Sequence, residues 1–515
     1  MGSTEGAGML NIFNEHFPIA NVAGIASICS NLIKLILGIC LMTYSLAYIF
    51  FTYYHCDGRH CVGSLGYELV NMGPTAEEKF LTNYVLERSD GILPLYGFPS
   101  WFLTSACVIP SYLIAWFLVF VIAISGHRSF GLILYGLAPM ATILLTITVI
   151  AVGVNYANAA NQLDLYANRF YATFSTIVPV DRSARDQFEV RPLIWGWLSS
   201  FVHLSQALNL WTGIFPMLGK WSGTYGKRTY LGWIPLLVLW QLLIQLPVLL
   251  IMFAMASSYD PDYARCHLST NWQAPFLIMS HVFSKFSSDR LLAGCFFIAL
   301  VICMLLSQSL LLLTSMRNFT DFVTPPNSAS SRRQRCAYRT ALSITVALLL
   351  LIGLPMVTRA GFYWIRLVDW YVDRMLVIVA PLQAIGYVVA YVKSGGRYIQ
   401  KTLIRLGLIV GSAILISVSV AVYLWYLISA TEPSPDTNCP TYSRAPENDP
   451  IHSNFRFLGW SIAVGPVLLG LLLTVIAVAH RSRREKKSFF MILLWGDDRG
   501  PRYSNPYQPC LRMPS

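Results

Sequence analysis

Ser205, Gln206 and Asn209 lie within about one helical turn of each other, in a run that also carries Ser199, Ser200, His203, Thr212 and Gly213. Hydroxyl and amide groups in this density are costly in lipid unless they face protein or a water-filled cavity. Two readings stand for them. One is a helix buried in a bundle, its polar groups bonding to neighbouring helices. The other is a discontinuous transporter helix lining a substrate site near the bilayer midplane, with Ser205, Gln206 and Asn209 as the substrate-binding residues. Lys34, one turn past Asn31, is an intramembrane charge that either serves a functional site or snorkels toward the interface. Cys56 and Cys61, in the run His55-Cys56-Asp57-Gly58-Arg59-His60-Cys61, suit a disulfide in an oxidising outer compartment. With the two histidines they also match the donor types of a zinc site.

The chain offers no signature of covalent chemistry. It has no P-loop, HExxH, GxSxG or nucleotide-binding glycine motif, the forms in which catalytic sites announce themselves. Ser394-Gly395-Gly396 is flanked by Lys393 and Arg397, yet it lacks the strand-to-helix setting of a phosphate cradle and reads as a turn. The expectation is a protein that is not an enzyme and needs no resident cofactor.

The elements that must position these residues follow from composition. Of 515 residues, 55% are hydrophobic and only 12% charged, with a mean hydropathy of +0.54. A soluble domain carries about 25% charged residues, so a soluble enzyme, a disordered scaffold and a nucleic-acid binder fit poorly. Apolar runs long enough to span a bilayer, about 20 residues each, number about ten. They are Asn21–Tyr53, Trp101–Ser125, Phe130–Val154, Ile194–Leu218, Leu231–Ser257, Leu291–Leu313, Ala337–Val357, Phe362–Val392, Leu403–Ile428 and Phe457–His480. The fold class is therefore all-α, a polytopic membrane protein. Its parts are an N-terminal segment at 1–20, a bundle at 21–480, and a basic, Pro-rich tail at 481–515.

Charge orients the bundle. The net charge of +12 is a matter of topology before partners, because Lys and Arg gather in cytoplasmic loops. Arg128, Lys220, Lys227, Arg228, Arg317, Arg332, Arg333, Arg335, Lys393, Arg397, Lys401 and the run Arg481–Lys487 form one set. The opposite loops, at 54–98, 155–190, 258–290 and 430–455, include the acidic stretch with Glu432, Asp436, Glu447 and Asp449. The basic set is expected in the cytoplasm together with both termini. No basic n-region and cleavage site precede the first span, so a cleaved leader is not expected. The sequon Asn318-Phe319-Thr320 falls on the cytoplasmic side, where it would carry no glycan.

Several stretches then resemble the neurotransmitter–sodium symporter family (solute carrier family six). Gly353-Leu354-Pro355-Met356-Val357-Thr358-Arg359-Ala360-Gly361-Phe362-Tyr363, followed by Leu367-Val368-Asp369-Trp370-Tyr371, is similar to that family's junction between its ninth and tenth helices. Phe80, Val85-Leu86, Ser89 and Gly91-Ile92 are similar to the run before its fourth helix, with Leu81 replacing a tryptophan. Leu305-Leu306-Ser307-Gln308 is similar to its eighth-helix L-D-S-Q. The order agrees over nearly the whole chain.

The resemblance implies an inverted-repeat transporter fold. It makes the chain a sodium-coupled symporter of the plasma membrane, taking a small amino acid or amine, with chloride as a second ion. It places Ser307 among the ion ligands, Asp369 at the outer gate, and Cys56 and Cys61 where the family keeps an extracellular disulfide. It also equates Asn21–Tyr53 with the family's third helix, so counterparts of the first two are not in this sequence. Departures accompany it: Leu37 at a substrate-facing tyrosine position, Leu306 beside the sodium-ligating serine, and Trp240 or Gln241 at an asparagine ligand. The alternative is a transport-incompetent scaffold or regulatory subunit. Either way membrane lipid is a partner, and the face left by the absent helices would need a second copy or another membrane protein.

Overall fold

In the computed structural model the described residues are 8–54, 81, 85–89, 108–155, 212–222, 271–283, 289–323, 331–393, 455–485 and 488–495. They form helices α1 (Met9–His16), α2 (Asn21–Tyr54), α3 (Val108–Ser125), α4 (His127–Asn155), α5 (Ile214–Ser222), α6 (Ala274–Phe283), α7 (Asp289–Val323), α8 (Ser331–Gly353), α9 (Gly361–Lys393), α10 (Arg456–Glu485) and α11 (Phe489–Trp495). Short 3₁₀ turns cover Pro18–Ala20, Asn271–Gln273 and Leu354–Val357. Among the described residues there is no strand. Among the described residues, six helical stretches are long and apolar enough to cross a membrane: Pro18–Phe50, Val108–Ser125, His127–Ala151, Arg290–Val323, Arg335–Val357 and Phe457–Arg483. The 33-residue α9 covers the expected span Phe362–Val392. The expected spans Leu231–Ser257 and Leu403–Ile428, and most of Ile194–Leu218, lie outside the described residues.

The core is an antiparallel pair, α2 against α7. Asn31 meets Ser315, Gly38 meets Gln308 and Tyr48 packs on Phe297, a single register held along both helices. Helices α3, α4, α9 and α10 pack around this pair. Tyrosine hydroxyls tie neighbours through backbone carbonyls: Tyr44 donates to Met356 O, Tyr112 to Leu350 O and Tyr338 to Ala123 O, each at 2.9 Å. Tyr112 and Tyr338 tie α3 to α8 near its two ends, so the pair is fixed along its length.

Two boundaries differ from the sequence expectation. The apolar run ends at Leu313, but α7 continues to Val323. Its threonines bond to the helix's own backbone: Thr314 Oγ1 donates to Leu310 O at 2.7 Å and Thr320 Oγ1 to Met316 O at 2.8 Å. Within 1–20, α1 buries Met9, Leu10, Ile12 and Phe13, seating that helix on the ends of α7 and α9. Its apolar residues recur with helical spacing, which an unbroken search for spans passes over.

Lys220, Arg317, Arg335, Arg481 and Arg483 share one end, joined there by the Lys220–Asp321 ion pair at 2.7 Å. His127 stacks on Trp221 at 5.3 Å, and the Arg317 guanidinium lies 3.9 Å over the Tyr338 ring. The opposite end gathers Tyr44, Trp272, Phe276, Phe362 and the start of α10, where Trp460 packs on Tyr371.

Close approach between α10 and α2 depends on Gly470, where an added Cβ would stand 2.6 Å from the Val22 carbonyl oxygen. A backbone atom cannot swing aside. Gly470→Ala should lower stability by about 1–3 kcal/mol, read as an earlier thermal transition in detergent. Gly465→Ala, on the same helix with nothing within 4 Å, should leave that transition in place.

Candidate functional site

The seam between α2 and α7 carries polar groups at three levels. At the centre, Gln308 is buried with 6% exposure, and its amide fills the space that a Cβ at Gly38 would occupy. Only glycine lets the amide lie there. Gln308 Oε1 and the fully buried Ser309 Oγ have no hydrogen-bond partner among the described residues. A buried acceptor left unpaired costs about 1–3 kcal/mol, more than a native core normally tolerates. Ser307, the expected ion ligand, is half-buried on the adjacent position of α7. The centre of the seam thus presents oxygen atoms able to accept from an ammonium group or water, or to ligate a hard cation.

Toward the basic end, Asn31 and Asn318 hold a break in the chain. Gly213 has φ +70, the left-handed region that favours glycine, and α5 starts immediately after it. Pro216 has no N–H, so Thr212 O lacks its helical donor. Asn31 Nδ2 supplies one at 2.8 Å and also reaches Ser315 Oγ at 3.0 Å. Asn318 Nδ2 donates to Gly213 O at 3.5 Å while its Oδ1 accepts from Met9 N at 3.0 Å. Asn11 Nδ2 donates to Asp321 O at 3.3 Å. Helices α1, α2, α5 and α7 are locked here around one interruption. The Asn31 Oδ1 atom is buried and has no partner among the described residues.

At the opposite end the two longest motifs of the sequence fold against each other. Arg359 NH2 and Glu87 Oε2 are 2.7 Å apart. Ser89 N donates to Arg359 O at 3.1 Å. The Arg88 guanidinium lies 5.3 Å from the Phe362 ring centroid. Glu87 pays for this contact in backbone strain, at φ +44 for a non-glycine residue, roughly 1–2 kcal/mol. Beneath it, Tyr44, Trp272, Phe276 and Phe297 form an aromatic cluster with centroids 5.8 to 6.5 Å apart. Segment 271–283 therefore covers the α2–α7 seam at this end, as α1 does at the other.

Of the residues singled out in the sequence, Lys34 is half-buried on α2, one turn from Asn31. Asp369 is half-buried on α9, two turns inward of Phe362, about 10 Å along the axis. Ser307 and Lys34 thus belong to the same helix pair, whereas Asp369 belongs to α9. Ser205, Gln206, Asn209, Cys56 and Cys61 lie outside the described residues. Among the described residues no three His, Cys, Asp or Glu side chains form a metal-binding group. Sequence reading missed the Gly38–Gln308 notch and the Asn318 cap. The sequon containing Asn318 drew attention to glycosylation, and Gly38 is an ordinary small residue in an apolar run. A cue was present in Pro216, which requires a substitute donor for a carbonyl four residues earlier.

Removing that donor tests the lock. Asn31→Leu keeps the side-chain size but strands Thr212 O, and should cost about 1–3 kcal/mol in thermal unfolding. Ser315→Ala removes only a shared acceptor and should cost less than half as much.

Residues 271–484 match the family model for the Sodium:neurotransmitter symporter family. This stretch takes in α6 to α9 and nearly all of α10. No curated protein matches the chain. The match takes in α7, one of the two helices of the seam, and Trp272, Phe276 and Phe297 of its aromatic cover, whereas α2 lies outside it; over this stretch the chain is similar to the sodium:neurotransmitter symporter family.

Proposed function

We propose that the chain is a multi-pass membrane transporter of the symporter kind, carrying a small amino acid or amine, and that the centre of the α2–α7 seam is part of its path. The family match over residues 271–484 carries this reading. The unpaired oxygens of Gln308 and Ser309 support the location. A protonated amine would satisfy Gln308 Oε1, and the Gly38 notch leaves the amide as the group that meets it. Sodium is the coupling cargo that goes with the family. Ser307 Oγ and Gln308 Oε1 are neutral oxygen donors of the type a hard cation takes, and Leu306, next to Ser307 in the chain, adds none. The basic end is read as cytoplasmic, with both termini on that side, and the plasma membrane as the site of action. Ser205, Gln206 and Asn209 remain assigned to substrate, Asp369 to the outer gate, Lys34 to an intramembrane charge, and Cys56–Cys61 to an extracellular disulfide.

The full chain, reconstituted in liposomes, tests this with a panel of labelled amino acids and amines under an inward sodium gradient. The expected result is uptake several-fold above protein-free liposomes for at least one compound, lost when choline replaces sodium. Gln308→Leu should raise KM for that compound by about tenfold, the worth of one lost hydrogen bond to a charged group. Sodium-independent uptake would overturn the coupling. Folded protein that moves no compound would overturn transport and leave the scaffold or regulatory reading.

A further inference from the structure

The last described helix, α11, is Phe489-Phe490-Met491-Ile492-Leu493-Leu494-Trp495, apolar on every side. Among its described side chains, Phe489 and Leu493 are half-buried. Ile492 is 1% exposed, where α11 packs on the Pro18–Ala20 turn and on α10. Phe490 is 70% exposed. A helix that is apolar all round is stable where every side is out of water, in a core or in lipid. The chain that leads into it, from Arg481 to Lys487, holds Arg481, Arg483, Arg484, Lys486 and Lys487 against Glu485 alone. Arg481 NH1 donates to Asn14 O at 3.4 Å, which ties the start of this run to the chain between α1 and α2. Arg483, next on the same helix end, is exposed. An apolar helix folded back on the bundle end and a basic stretch beside it are the two components of an interfacial anchor.

We propose that α11 and the basic end of α10 form a binding surface for anionic lipid. The Phe490 side enters the boundary between headgroups and acyl chains, and the exposed Arg483 meets the headgroup phosphates and carboxylates. A surface that is both apolar and basic is complementary to an anionic leaflet, whose attraction for each Lys or Arg is short-ranged and additive. Through the Pro18–Ala20 turn, which precedes α2, this surface is in contact with the segment that also seats α1. Which leaflet it meets rests on the topology proposed above, whereas lipid dependence is measured without any transport step, so the two fail separately.

The experiment is amide hydrogen exchange of peptides covering 488–495, on the full chain in nanodiscs of phosphatidylcholine alone or mixed with phosphatidylserine. Exchange should be about fivefold slower or more with phosphatidylserine, the worth of a single basic contact, and high salt should remove the difference. The double variant Arg483→Gln/Arg484→Gln should shrink the difference while leaving exchange in phosphatidylcholine, and in α7, unchanged. Phe490→Ser should speed exchange in both lipids. Equal exchange of the native chain in the two lipids would overturn the proposal. So would a double variant that keeps the full difference, or the same slowing from inositol hexakisphosphate added to phosphatidylcholine discs, which would make the ligand a soluble phosphate.

Discussion

Gly38 and Gln308 meet at the middle of two long antiparallel helices, and the remaining elements are arranged around that contact. The register it belongs to runs from Asn31–Ser315 at the basic end to Tyr48–Phe297 at the other. Shifting α7 by one residue would turn Gln308, Ser315 and Asn318 away from α2 and leave their polar groups without the close approach that accommodates them. Helix pairs in lipid gain little from hydrophobic burial, since the surrounding chains are equally apolar. Small residues at the contact and hydrogen bonds across it decide the pairing instead. Gly38, Gly470 and the three tyrosine-to-carbonyl bonds are devices of this kind.

The same scarcity of water governs the chain's interruptions. At two breaks where the backbone leaves a regular helix, side chains from other elements meet freed carbonyls. Tyr44 does so at the turn before α9, and Asn31 and Asn318 do so at the break before α5. These breaks are affordable only because protein surrounds them. The three levels of the seam follow from this. Its two ends are covered, by α1 at one end and by the aromatic cluster with the Glu87–Arg359 pair at the other. Its centre retains acceptors with no partner among the described residues. An arrangement with polar capacity in the middle and packed ends fits a protein that takes up a small polar solute.

The tail illustrates how one feature can have two explanations at sequence level. A basic run after a final span is ordinary stop-transfer charge. The position of α11 gives it a second role, because an apolar helix folded back against the bundle brings that charge beside an uncovered apolar face.

Much of the architecture was legible in the amino-acid sequence by itself. Span-length apolar runs gave the all-helical membrane class, because lipid admits few other ways to pair a backbone. Loop charge gave an expected orientation of the bundle. The motif around Gly353–Tyr371 pointed to the symporter family before any contact was known. Only the tertiary structure decided which polar residues matter together. Gly38 and Gln308 are separated by about half of the chain, and Asn31 and Thr212 by 181 residues, and hydropathy carries no record of such distances. Helix α1 and the inner extension of α7 were missed for a related reason. Both are polar on one side, and what holds them is a partner supplied by the fold.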